Sequence, residues 1–338
     1  MQNRLFIYIS SILIILASCT TSRNHYKIMT VNGPVDAKTP GMALEHEHIL
    51  VDFIGADSTG YFRWNRDSVA GRVLPYLKEA KAAGVRLFFD PTPAYLGRDP
   101  RLLKRLADES GLQIVTNTGY YGAVDNKFLP EHAFRESADQ LARRWIREWK
   151  KGIEDTGIRP GFIKISVNPV DTLSAMHEKL VRAAARTHLQ TGLTIASHTG
   201  PDGPAMAQLQ VLKDEGVSPE AFVWVHAQNG TPEGWMKAAG QGAWISLDNV
   251  KRDSATVDKY VKALEKLKEA GYLHKVLLSH DAGWYEPGKP NGGSFRGYTA
   301  IFDALLPRLK ANGFSQDEID QLMVHNPREA FGIRVRAL

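Results

Sequence analysis

Four histidines, one lysine and one aspartate fall at or near the ends of short apolar runs: His46 and His48, Lys164, His198, His226 and Asp281. His46 and His48 are two residues apart. On an extended strand that spacing puts both imidazoles on one face, about 7 Å apart at Cβ, close enough to share a metal ion. On a helix the same spacing would turn them away from each other. Imidazole with carboxylate is a borderline-hard donor set that suits zinc, with manganese, cobalt or iron as competitors. An isolated His-x-His is a weak signal, because two hydrogen-bonded histidines look the same. Its weight comes from the ligand types that stand at the other strand ends.

Lys164 is the odd member of the set. An ammonium among metal ligands would be repelled by the cation, and a neutral amine needs a much lowered pKa. Reaction with CO₂ removes both difficulties, since a carbamate is an anion able to bridge two metals. The competing reading is that Lys164 pairs with Asp281 or points outward.

These residues need a frame that brings separate strand ends together. Eight short apolar segments recur along the chain, at 43–49, 85–90, 113–118, 162–167, 193–198, 222–226, 243–248 and 275–281. Each is rich in Ile, Val, Leu or Phe and is bounded by turn formers. Between them, residues 69–83, 100–110, 132–153, 173–190, 203–215, 232–240, 254–270 and 297–312 carry apolar residues at helical spacing. Glycines 84, 111, 192, 216, 271 and 313 follow six of these segments, where a left-handed cap is wanted. Eight strand–helix units predict an α/β chain folded as a (β/α)₈ TIM barrel, with its chemistry at the C-terminal ends of the strands. A doubly wound open sheet would call for a Gly-rich phosphate turn after an early strand, and none is present.

Composition sets the outer limits. The chain has 338 residues, 43% of them hydrophobic and 23% charged, with a net charge of +5 spread without blocks. That is ordinary globular composition and gives no support to a nucleic-acid partner. The single cysteine excludes a disulfide framework and a cysteine-based zinc cluster. Cys19 follows an apolar run at 5–17 and the residues Leu16-Ala17-Ser18, a layout similar to a bacterial lipobox. The expectation is a lipoprotein-type signal peptide at 1–18, lipidated Cys19, a polar tether at 19–25 and a barrel over 26–338. The protein would then be exported and lipid-anchored to a bacterial membrane on its periplasmic or extracellular side.

The chain resembles the phosphotriesterase family of the amidohydrolase superfamily. The resemblance rests on residues 41–49 (GMALEHEHI), 161–166 (GFIKIS), 191–199 (TGLTIASHT), 225–226 (VH), 277–281 (LLSHD) and 325–331 (HNPREAF), in order and at family-like spacing. It implies two divalent metal ions, zinc foremost. His46, His48 and Asp281 would hold the more buried ion, and His198 and His226 the more exposed one. A carbamate on Lys164 and a hydroxide would bridge them. The hydroxide would attack an ester directly, and Asp281 would accept the released proton. Relatives also suggest a homodimer.

Two positions depart from the relatives. Phosphotriesterases carry an aspartate after the strand-six histidine and a histidine at the end of strand seven, which relay a proton outward; here these places read Asn229 and Asn249. The arginine of the family's lactonases is also replaced by Asn249. Tyr120, Tyr121, Asn249, Trp284 and Tyr285 are the candidate substrate pocket, with Arg63 and Trp64 on the loop after strand one as further contacts. Glu47 and His280 alternate with ligand positions and should point into the helix layer. His132, His177, His188 and His274 read as helix-surface or loop residues. The expected substrate is a lactone or other carboxylic ester, with a phosphotriester as the alternative and a lipid-anchored binding protein without turnover as the third option.

Overall fold

The computed structural model describes residues 26–38 and 41–338. Cys19, the apolar run and the tether lie outside the described residues. Among the described residues no helix is long and apolar enough to cross a membrane.

A hairpin, β1 (Lys27–Thr30) and β2 (Gly33–Asp36), precedes the barrel. Its strands are too short and mixed to stand out in the sequence. The first barrel strand is not continuous: it splits into β3 (Met42–Leu44) and β4 (His48–Leu50), with a bend at Glu45 and His46. Then come β5 (Val85–Phe89), β6 (Gln113–Val115) with its continuation β7 (Asn117–Thr118), and β8 (Phe162–Ser166). The series continues with β9 (Ile195–His198), β10 (Phe222–Val225), β11 (Trp244–Leu247) and β12 (Val276–Leu278). β7 to β12 form one six-stranded sheet in chain order, and β3, β5 and β6 form another. β13 (Gly283–Tyr285) pairs in parallel with β4 through Gly283↔His48 and Tyr285↔Leu50, which closes the ring. A Cβ on Gly283 would lie 1.8 Å from the His48 carbonyl oxygen, so only glycine permits this closure.

Inward-facing residues two apart fill the barrel below the rim: Leu87 and Phe89, Val223 and Val225, with Phe162, Trp244 and Leu277. Phe331, from the C-terminal helix, plugs the floor with its ring 4.4 Å from Phe89. The alternation of the strands thus supplies a packed core beneath and leaves the upper positions for polar side chains.

The helices follow the sequence pattern closely: α1 (Arg66–Ala82), α2 (Pro100–Ser110), α3 (Glu131–Arg135), α4 (Ala138–Lys151), α5 (Ala175–Thr191), α6 (Asp202–Asp214), α7 (Pro232–Gly240) and α8 (Ser254–Glu269). The single helix expected over 132–153 is two, because Ser137 and Gln140 form a capping box that starts a new helix. Gly111 and Gly192 close α2 and α5 with φ of 71° and 73°. Near the C-terminus, a π turn at Ile301–Leu305 leads into a short helix at Leu306–Ala311. Pro307, which has no N–H to give the helical ladder, follows that turn at once.

Two of the histidines expected on surfaces are instead buried joints. His177 bonds the Gly122 carbonyl at 2.9 Å through Nε2. His188 bonds the Leu193 carbonyl through Nδ1 and accepts the Arg336 amide through Nε2, and burial pushes its pKa down to about 4.

Candidate metal centre

The strand ends bring His46, His48, His226, Lys164 and Asp281 to one place. His46, His48 and Asp281 offer ligand atoms within 4.8 Å of one another, and so do His226, Asp248 and Asp281. Asp281 belongs to both groups. Its Oδ1 lies 3.2 Å from His48 Nε2 and 3.6 Å from His46 Nε2 and has no hydrogen-bond donor. Two donor clusters that share one carboxylate fit a binuclear metal site.

Two of the rings are aimed by a partner on Nδ1. His48 Nδ1 is held by Thr92 Oγ1 at 2.7 Å, which directs Nε2 to the centre. His226 Nδ1 is held by Asp248 Oδ1, while its backbone N–H donates to Asp248 Oδ2 at 3.0 Å. Burial alone would lower the His226 pKa, but the Asp248 carboxylate and its hydrogen bond outweigh it and the result is raised. Burial is the leading cause that holds His46 and His198 well below the usual histidine range, with neighbouring cations adding to it. Both are therefore neutral, the form that ligates.

Lys164 is 1% exposed, and its Nζ has no hydrogen-bond partner. Burial lowers its pKa to about 8, against the pull of Asp248, Asp281 and Glu45. It neither pairs directly with Asp281 nor points outward. An orphaned buried amine ringed by imidazoles and carboxylates fits conversion to a carbamate between two cations.

His198 stands slightly apart. Its ring is 4.3 Å from His226, but Nδ1 is engaged by the Tyr121 hydroxyl at 3.0 Å. Its ligand atoms fall in neither cluster.

Sequence reasoning passed over Asp248 and Glu45. Asp248 is fully buried and receives Ser246 Oγ, Gln228 Nε2 and both His226 groups. Its place at the end of an apolar strand was the available signal. Glu45 is buried beside it, bonded by Ser246 Oγ at 2.6 Å, with its other oxygen unpartnered. Burial foremost, and then Asp248, raises its pKa to about 8. It faces the interior because the bend at 45–46 breaks the alternation.

Glu47 and His280 do point away from the centre, as expected, and they tie the seam. The Glu47 carboxylate accepts Ser279 Oγ, the His280 amide and Nδ1, and the Ala282 amide at 2.6–3.0 Å.

The five pocket candidates divide. Tyr121 and Trp284 lie at the mouth: Trp284 stacks edge-on against His48 at 5.3 Å. Asn249 stands half-exposed at the end of β11 and accepts a long hydrogen bond from Arg296. Tyr120 is a correction. It is 6% exposed, bonds His132 Nε2 and packs on Trp145, lining a separate cavity of about 450 Å³ with Tyr61 and Tyr95. Consecutive residues on extended backbone face opposite ways, so Tyr121 takes the mouth and Tyr120 the helix layer. Tyr285 is a second correction: it borders a surface hollow with Ser68 and Arg72 of α1. Arg63 and Trp64 are committed elsewhere, to Asp52 and Asp99.

Comparison with known proteins agrees with this geometry. The phosphotriesterase family matches residues 26–331. A phosphotriesterase homology protein of Escherichia coli is 29% identical, with 86% of this chain and 98% of that one covered. An aryldialkylphosphatase of Saccharolobus solfataricus is 29% identical, covering 88% and 96%. An N-acetyltaurine hydrolase of Tetraodon nigroviridis is 26% identical, covering 90% and 97%. Among solved structures, a mutant organophosphorus hydrolase from Deinococcus radiodurans superposes with a TM-score of 0.80 at 25% identity, over 91% of this chain and 98% of that one. Barrel, donor clusters and sequence together make this chain a member of the phosphotriesterase family, a family of metal-dependent hydrolases.

Proposed function

We propose that this protein is a binuclear metal-dependent hydrolase of lactones or other small carboxylic esters. The observation that carries the reading is the convergence of two donor clusters on Asp281 beside the unpartnered Lys164 Nζ. His46, His48 and Asp281 would hold one ion, His198 and His226 the other, and carbamylated Lys164 would join them, with zinc the best match to the donors. Tyr121 engages only Nδ1 of His198, and among the described residues no hydrogen bond holds its Nε2. When bound, two such ions bring the pKa of water toward neutrality and polarise the bond under attack.

The chain's own groups then decide which esters suit it. Asp281 Oδ1, free of donors, is placed to take a proton. Asn229 and Asn249 cannot receive it, since a carboxamide does not titrate near neutrality. The proton therefore returns to the leaving group or goes to water. A lactone's alkoxide stays tethered beside Asp281 and needs that proton, whereas an activated aryl oxide leaves without it. Ester or lactone turnover should exceed phosphotriester turnover by about a hundredfold or more, the lower end of general acid–base assistance. The names of the relatives support both sides: an aryldialkylphosphatase speaks for phosphotriesters, and an N-acetyltaurine hydrolase for attack at a carbonyl carbon. Phosphotriester hydrolysis is therefore the second reading.

A screen of lactones, aryl esters and aryl phosphotriesters with metal-loaded protein tests the order. Preference for a triester over every lactone and ester would reverse it. Less than one transition metal per chain after growth with added metal would instead favour a binding protein without turnover. We further propose anchoring through acylated Cys19 to a bacterial membrane on its periplasmic or extracellular side; replacing Cys19 with Ser should abolish incorporation of labelled fatty acid.

A further inference from the structure

The mouth of the barrel has two unlike walls. From the end of strand three round to β13, aromatic rings run in sequence: Tyr121 lies 5.8 Å from Phe128, Phe128 6.3 Å from Phe53, and Phe53 5.4 Å from Trp284, whose Nε1 donates to the Asp281 carbonyl. Strand three and strand seven are four places apart in a ring of eight, so the end of β11 lies across from Tyr121. There the side chains are Asn249 and Arg296.

Arg296 comes from the loop after β13 and reaches over the ends of the last two barrel strands. Its Nη2 donates to the carbonyls of His280 and Asp281 at 2.7 and 2.5 Å, and its Nη1 to Asn249 Oδ1 at 3.4 Å. All three acceptors are neutral. Arg63, Arg98 and Arg144 meet the carboxylates of Asp52, Glu148 and Glu136, whereas the buried Arg336, like Arg296, is held by backbone carbonyls. Among the described residues no carboxylate pairs with Arg296. A guanidinium has five N–H donors in a planar fork that matches carboxylate and sulfonate oxygens. Here Nε and one N–H of Nη1 are left over, on a guanidinium held by the backbone carbonyl of the residue that both donor clusters share.

We infer that Arg296 is a specificity residue that receives an anionic group, a carboxylate or sulfonate, at one end of the substrate. The inference rests on the hydrolase reading and narrows it. The apolar wall takes the other end of the substrate, the scissile bond lies between them at the metal centre, and the favoured esters are small monoanions rather than neutral ones. A fixed cation thus stands beside the place where phosphotriesterases keep a titrating histidine.

The test uses metal-loaded full-length protein and two matched substrates, 4-nitrophenyl hydrogen adipate and its neutral methyl ester. Wild type should favour the anion in kcat/KM by roughly tenfold or more, the scale of a hydrogen bond to a charged group. R296M should erase that preference mainly through KM, raising it at least tenfold more for the anion than for the neutral ester. R296K keeps the charge without the fork and should retain part of the preference. A calorimetric titration with benzenesulfonate reads the same site without turnover, and wild type should bind at least tenfold more tightly than R296M. Metal content and melting temperature are measured on each variant. If wild type cleaves the neutral ester as well as the anion, or if R296M weakens both alike while shedding metal, Arg296 is only a backbone clamp and the inference falls, while the hydrolase reading stands. If neither ester is cleaved, that reading is in trouble, and the benzenesulfonate titration still decides Arg296: equal binding to wild type and R296M overturns its role.

Discussion

His226 and Asp281 both leave their strands in left-handed backbone, with φ of 61° and 49°, yet they are held there by different means. His226 ends β10 inside an unbroken ladder, with β9 on one side and β11 on the other. One neighbouring side chain, Asp248, fixes both its ring and its amide. Asp281 follows β12 at the seam where the last strand meets the broken first strand. Next to Asp281 itself the backbone bonds are Asp281 N–H to the His46 carbonyl and His48 N–H to the Ala282 carbonyl, before the β4–β13 pairing begins. The Glu47 carboxylate supplies the rest of the stitching, and Arg296 caps the Asp281 carbonyl. Non-glycine residues in this backbone region are held only where their surroundings over-determine them. The ladder side achieves that by strand pairing, and the seam side by side chains. The seam should therefore be the part that mutation loosens first.

Removing the group proposed to join both sides should have the largest effect. Replacing Lys164 with Ala should cost both metal sites together and lower ester turnover by about a hundredfold or more, with partial rescue by acetate or propionate. Metal analysis alongside turnover checks it, and unchanged metal content would show that Lys164 is not a ligand.

The next expectation separates the two sides. E47Q removes the charge that gathers four donors in a fully buried place, and should destabilise the fold by roughly 2–3 kcal/mol in urea titration. D248N loosens the ring and backbone of His226 and should weaken metal binding about 10- to 100-fold. In a chelator titration E47Q should lose the ion of His46, His48 and Asp281 first, and D248N the other. The same order of loss in both variants would erase the distinction drawn here.

The smallest effect is one of pH. Lys164 has its pKa lowered to about 8, chiefly by burial, from 10.5. Because the folded value lies below the ordinary one, the neutral amine that reacts with CO₂ is populated as pH rises through about 8. At fixed dissolved CO₂, the rate of metal uptake by metal-free protein should climb roughly tenfold or more between pH 6.5 and 8.5 and then level off. Uptake independent of pH and CO₂ would count against the carbamate. The same shift makes metal-free protein gain stability between about pH 8 and 10.5, where the unfolded chain binds the extra proton.

The strands and helices were legible because their signals are local. Apolar runs, helical spacing and cap glycines are consequences of backbone geometry within a few residues. α2 and α7 match their expected ranges, and the eight strand candidates all contain barrel strands. The bend at Glu45 and His46 was not legible, since it is imposed by closure of the ring through Gly283 and through the bonds of Glu47 to Ser279 and Ala282, all more than two hundred residues away.

The amino-acid sequence alone determined which donors this protein has and that strand ends would present them: the spacing of His46 and His48, and Lys164, His226 and Asp281 at or near separate strand ends, need no tertiary knowledge. Only the folded chain decided which neighbours complete them. Glu45 and Arg296 carry no distinguishing pattern in sequence and Asp248 only its place at a strand end, and their weight comes from burial and from distances across the rim. Tyr120 and Tyr121 show the limit most plainly. Adjacent and chemically identical, they face opposite layers, because the direction of a side chain on extended backbone depends on the register of the strand it follows.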